Sequence, residues 1–216
     1  MMLRSALVGL ALLATAPAFA GHRETSTITT FGPTIEAGKW QFRYSTGMPR
    51  SPSPAIGGGF EFIFPGMANE VDYLTTPVRM AAKVRARITL SVDTSSGEPV
   101  FWAHNDAGGY CQPGFVRIML QKYKDDMRNA DGRWWASVAF QIASPAMVMM
   151  EIPITDLSKW SNVYGQFAST RPDKFKSTMS NLGNVGVTFG GCNNFGHGVN
   201  TTGGVAKMTV TEFIVE

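Results

Sequence analysis

The sequence predicts an all-β fold, a single antiparallel β-sandwich with one or two short connecting helices. Three observations carry this. Apolar and polar side chains alternate with period two in about ten short segments separated by turn residues. Gly and Pro are frequent, at 23 and 12 in 216 residues, as a fold rich in turns requires. Helical periodicity is confined to Arg171–Leu182 and to a short turn that Thr155 and Asp156 could cap. Hydrophobic residues make up 44% of the chain, enough to fill one core. Charged residues are only 16% and the net charge is +3, which excludes a disordered chain and a strongly basic nucleic-acid binder. No internal repeat and no linker divides the sequence.

The first 20 residues read as an address. Arg4 supplies a positive charge, Ala6–Ala16 is apolar but too short to span a bilayer, and Ala18-Phe19-Ala20 matches a cleavage site. Residues 1–20 are therefore expected to be a signal peptide and residues 21–216 one β-sandwich domain, secreted or periplasmic. Gly21 rather than Cys follows the cut, which disfavours a lipid anchor, and no later segment is long enough for a membrane span.

The clearest strand is Lys83–Asp93, where Val84, Ala86, Ile88, Leu90 and Val92 alternate with polar neighbours. Phe60, Phe62 and Phe64 repeat the pattern after three glycines. Phe115–Lys124 puts Val116, Ile118 and Leu120 on one side. Arg133–Ala143 does the same with Trp134, Ala136, Val138, Phe140 and Ile142. Ala146–Thr155 is a further apolar run, and Asn184–Gly190 alternates Val185, Val187 and Phe189 with small or polar residues. In Val205–Val215 the phase changes after Val210, which predicts a bulge near Thr211. Weaker strands are expected at Thr25–Thr30, Trp40–Ser45, Tyr73–Arg79 and Val100–His104. In the helical segment, Phe175, Met179 and Leu182 share a face, with Pro172 near the start and Gly183 as the stop.

Two cysteines, Cys111 and Cys192, form an even count in an exported chain, which reads as a disulfide. The rival is a zinc set with His104 and His197. Neither cysteine belongs to a C-x-x-C pair, so the disulfide is preferred. A disulfide would gather His104, Asp106, Asn193, Asn194 and His197 at one end of the sandwich.

The final third runs Val185-Gly186-Val187-Thr188-Phe189-Gly190-Gly191-Cys192, then Phe195-Gly196-His197-Gly198-Val199, a Gly203-Gly204 turn and a last strand. With the helix before it, this resembles the closing strands of secreted jelly-roll domains of the galactose-binding-like, carbohydrate-binding-module type. The resemblance implies a jelly-roll β-sandwich that binds glycans, often with a structural calcium, and it carries over no catalytic residue.

The polar side of Phe115–Lys124 presents Arg117, Gln121 and Tyr123, and that of Arg133–Ala143 presents Trp135 and Gln141. A hairpin joined by the polar connection Lys124–Gly132, which ends in Asp131-Gly132, would bring these five residues onto one surface. A flat indole beside amides and a guanidinium suits a sugar, whose C–H face packs on the ring while paired donors and acceptors read its hydroxyls. The competing reading covers Trp135 with a second hydrophobic layer. Trp40, Trp102 and Tyr110 are alternative platforms. Arg79, Lys83, Arg85 and Arg87 form a basic stripe that reads as a solvated strand face or as a site for an anionic polysaccharide. Asn200-Thr201-Thr202 is a glycosylation sequon.

Enzyme signatures are thin. Glu70-Val71-Asp72 begins the E-x-D-x-x-E pattern of jelly-roll glucanases, but Thr75 stands where the last Glu should be. There is no G-x-S-x-G, H-E-x-x-H or phosphate loop. Arg117, Gln121, Tyr123 and a histidine could compose a polysaccharide lyase. A structural or adhesion domain of the cell envelope is the third class. The expected function is a monomeric, non-catalytic module for carbohydrate, contacted by Arg117, Gln121, Tyr123, Trp135 and Gln141, with no nucleic-acid partner.

Overall fold

The computed structural model describes residues 39–78, 83–93, 96–105, 107–143, 146–192 and 196–215. The leader, the expected strand Thr25–Thr30, Arg79, Asp106, Asn193 and Asn194 lie outside the described residues. In chain order the strands are β1 Gln41–Arg43, β2 Ser53–Pro54, β3 Phe60–Ile63, β4 Tyr73–Pro77, β5 Lys83–Asp93, β6 Val100–His104, β7 Tyr110–Cys111 and β8 Phe115–Lys122. They continue with β9 Arg133–Ala136, β10 Phe140–Gln141, β11 Ala146–Pro153, β12 Trp160–Ser161, β13 Leu182–Gly190, β14 Val199–Thr202 and β15 Val205–Val215. One α-helix, α1, covers Pro172–Met179.

Two antiparallel sheets form the sandwich. One runs β11-β5-β15-β3-β2 and the other β1-β4-β13-β8-β9-β12, with β10 also on β8. The last strand, β15, lies between β3 and β5, and β13 lies between β4 and β8. Early strands thus pair with late ones in both sheets, the double Greek key of a jelly roll. A three-stranded sheet, β14-β6-β7, closes one end.

Period two explains the core. On β8 and β13, Val116, Ile118, Leu120, Val185, Val187 and Phe189 are all buried. Phe60, Phe62 and Phe64 meet them from the opposite sheet, and Phe62 and Phe64 contact Phe189 edge-on at 5.9 and 5.8 Å. Trp40 seals one end between Phe60 and Phe213, each at 4.8 Å. Against β5 the register of β15 shifts between Val210 and Glu212, where the sequence predicts a bulge. Val210 and Phe213 can therefore both face inward.

Three expectations need adjustment. Arg133–Ala143 is two strands, because the register on β8 slips by two residues between Met119↔Trp135 and Val116↔Phe140. The surplus residues loop out, leaving Val138 52% exposed. The helix is shorter than its apolar pattern, since Leu182 already pairs in β13. Gly183 is not a helix stop: a Cβ there would lie 2.5 Å from the Tyr123 Cα, so it permits two backbones to approach. α1 packs Phe175 against Trp134 at 5.2 Å and so covers the end of β9.

The loops that carry polar chemistry hang from this frame. Asp156 caps a 3-10 turn at Leu157–Lys159 through its carboxylate, which accepts from the Ser158 N–H and hydroxyl at 3.1 and 2.6 Å. β12 follows at once and pairs Trp160 with Ala136. The connections β8–β9 and β12–α1 consequently meet at one rim.

Candidate functional site

The hairpin expected from the sequence forms, with Met119 opposite Trp135 and Gln121 opposite Arg133. Arg117, Gln121 and Trp135 do share the face away from the main core, but that face is roofed. Trp135 is fully buried with Met119 and Tyr73, and Met127 and Val163 pack over them. The indole at 135 is therefore not an open platform, which corrects that expectation. Its physical cause is the β8–β9 connection, which takes left-handed backbone at Lys124 and Met127 and folds Met127 back onto the sheet. The Arg133 guanidinium lies 5.7 Å from the Trp135 ring, donates to the Met127 carbonyl at 2.7 Å and meets Asp125 at 3.3 Å.

The other four residues separate. Gln121 is 5% exposed and spent on structure: its amide donates to Asp125 at 3.2 Å, and its carbonyl accepts from Asn184 at 3.1 Å. Arg117 is half-buried, and desolvation lowers its pKa to about 10. Tyr123 is 56% exposed beyond the end of β8, whereas Gln141 pairs with Phe115 at its start. At ~3.3 Å per residue, eight positions along a strand separate Tyr123 from that start by about 26 Å. These residues do not converge on one ligand, and neither does the lyase set drawn from them.

A different constellation does converge. Asp131 at the end of the β8–β9 connection holds Arg171, the residue before α1, at 2.7 Å. Arg171 also donates to Gln166 at 2.8 Å. Asn162, fully buried, donates to Asp131 and Gln166 at 3.0 Å each. Its side-chain oxygen accepts from the backbone N–H of Tyr164 and of Gln166, both at 3.1 Å, which fixes the turn. Gly165 takes φ of 71° in that turn. Thr178 on α1 closes the network by donating to the Asp131 carbonyl at 2.6 Å. Over this floor lies a cavity of about 630 Å³, lined also by Asp126, Arg128 and Asn129. At its rim stands Tyr164, 76% exposed.

This arrangement suits binding. An exposed phenol ring stands beside amides, a guanidinium and carboxylates already fixed by mutual hydrogen bonds, so little side-chain freedom remains to be lost on binding. Both Asp131 oxygens are occupied by Asn162 and Arg171, which leaves that carboxylate poorly placed as a nucleophile or base. The sequence holds one trace of the site. Asn162-Val163-Tyr164-Gly165 has turn chemistry with an aromatic at its tip. The joining of Asp131 to Asn162 and Arg171, residues 31 and 40 positions away, has no local signature.

At the opposite end the disulfide Cys111–Cys192 is present, so the zinc reading of these sulfurs is set aside. Nearby, His104 Nδ1 lies 3.3 Å from Glu70 Oε2. Val71 pairs with Val199 and both are buried, so the alternate residues Glu70, Asp72, Gly198 and Asn200 turn to the other face. Asp72 is 7% exposed and its Oδ1 has no hydrogen-bond partner. Burial, with Glu70 nearby, pushes its pKa up to about 8. Asn200 is 1% exposed, so the sequon has no accessible amide to glycosylate. Thr75 is buried as well and supplies no third carboxylate. Among the described residues, no group of three or more His, Cys, Asp or Glu side chains could hold a metal ion.

Neither a known protein family, a curated protein nor a solved structure matches this chain.

Proposed function

We propose that this chain is a secreted, non-catalytic carbohydrate-binding domain whose site is the cavity beside Tyr164. One observation carries the reading: an exposed aromatic ring beside Asp131, Gln166 and Arg171, which line the cavity and are held in place by one another and by the buried Asn162, on loops held by a rigid jelly roll. The ring would stack on the C–H face of a pyranose, and the floor would read its hydroxyls. The jelly-roll topology and the resemblance of the closing strands to galactose-binding-like modules support the same class. The leader and the disulfide support export, and among the described residues no helix is long and apolar enough to cross a membrane.

The scattering of Arg117, Gln121 and Tyr123 favours binding over the lyase reading. Calorimetric titration with a panel of oligosaccharides tests the proposal. Tyr164→Ala weakens binding at least about tenfold, because the stacking partner is lost. Its melting temperature stays unchanged, because the ring is exposed. An unaltered affinity in this variant contradicts the proposed site. A protein partner recovered with no glycan bound would favour an adhesion domain.

A further inference from the structure

We infer that the ligand is an extended acidic polysaccharide lying along α1, with a second subsite at Tyr123. This rests on the carbohydrate reading and adds the kind of chain. A second cavity, of about 600 Å³, is lined by Tyr123, Pro77, Ser180, Asn181 and Gly183. Two of the segments that line the Tyr164 cavity also line this one. The β8–β9 connection gives Tyr123 at its start and Asp126 to Asp131 further on. The helix gives Arg171 just before its first residue and Ser180 and Asn181 just after its last. The cavities therefore flank one ridge, separated by the eight residues of α1, or about 12 Å at 1.5 Å per residue. A single sugar cannot reach both, whereas a chain can.

The charge on the ridge sets the class of chain. Lys124 lies 5.4 Å from the Tyr123 ring centre, and Lys122 donates to Ser177 at 3.2 Å. Lys174, Lys176 and Arg128 are exposed along the same ridge. Of the acids there, Asp125 is buried against Arg133 and Asp131 is held by Arg171, so only Asp126 and Asp173 face solvent. No carboxylate lines the Tyr123 cavity among the described residues. A polymer of uronic acids meets the resulting positive potential.

Titration with oligogalacturonates of graded length, neutral β-glucan oligomers of equal length and single-stranded DNA oligomers tests this. Tyr123→Ala weakens the long acidic chains at least about fivefold and leaves the disaccharide unchanged, because only a long chain engages both cavities. Added salt weakens wild-type binding of the long chains, and Lys124→Gln lowers that dependence. Long-chain affinity unchanged in Tyr123→Ala, neutral chains held as tightly as acidic ones, or DNA held more tightly than either would overturn the inference. Tyr164→Ala with no effect on any sugar strikes instead at the underlying site. Both tyrosines are exposed, and a melting curve on each variant confirms the fold.

Discussion

Replacing Asp72 by Asn should remove a pH-dependent loss of stability from the protein. In the fold this carboxyl holds its proton to about pH 8, because it is buried and has Glu70 beside it. In the unfolded chain it ionises near pH 3.8. Below pH 3.8 both states are protonated and the group costs nothing. Between the two values the native state binds the extra proton, so each added pH unit costs about 1.4 kcal/mol. The loss reaches about 4 kcal/mol at pH 7 and levels off near 6 kcal/mol above pH 8, as an order of magnitude. Asn has the same shape and cannot ionise, so Asp72→Asn escapes the slope. Urea unfolding of wild type and variant at pH 4, 5, 6, 7 and 8 measures the difference, in which carboxylates common to both cancel. The variant should gain on the wild type steadily from pH 4 to pH 8. A difference that does not change with pH would falsify the assignment of a neutral carboxyl at this position.

Other perturbations follow from the packing. Trp135→Ala should lower stability by about 3–5 kcal/mol, since it empties a buried site, while the folded fraction keeps its glycan affinity. A defect in binding with no loss of stability would restore the indole as a ligand platform. Replacing Cys111 and Cys192 together by Ser should cost up to about 4–5 kcal/mol, because the crosslink closes 81 residues. Denaturant curves with and without reductant measure this, and coincident curves would contradict it.

The sandwich was legible because period two is local: the buried rows of β8 and β13 and the bulge before Glu212 can be read along the chain. The parity of Trp135 and Arg117 was legible for the same reason. What lay over them was not. Parity tells which face a side chain takes, while Met127 and Val163 reach that face only through the path of two loops. The break between β9 and β10 was hidden likewise, because the alternation persists in the sequence across residues that leave the sheet. The Tyr164 cavity was the least legible, since its floor is assembled from three separate turns.

Nuclear magnetic resonance mapping of amide shifts on titration with a bound oligosaccharide tests the central claim most directly. The largest perturbations should fall in Asp126–Asp131, Asn162–Gln166 and Arg171. Perturbations centred on Arg117, Met119 and Thr188, with the Tyr164 rim silent, would place the ligand on the sheet and contradict the account.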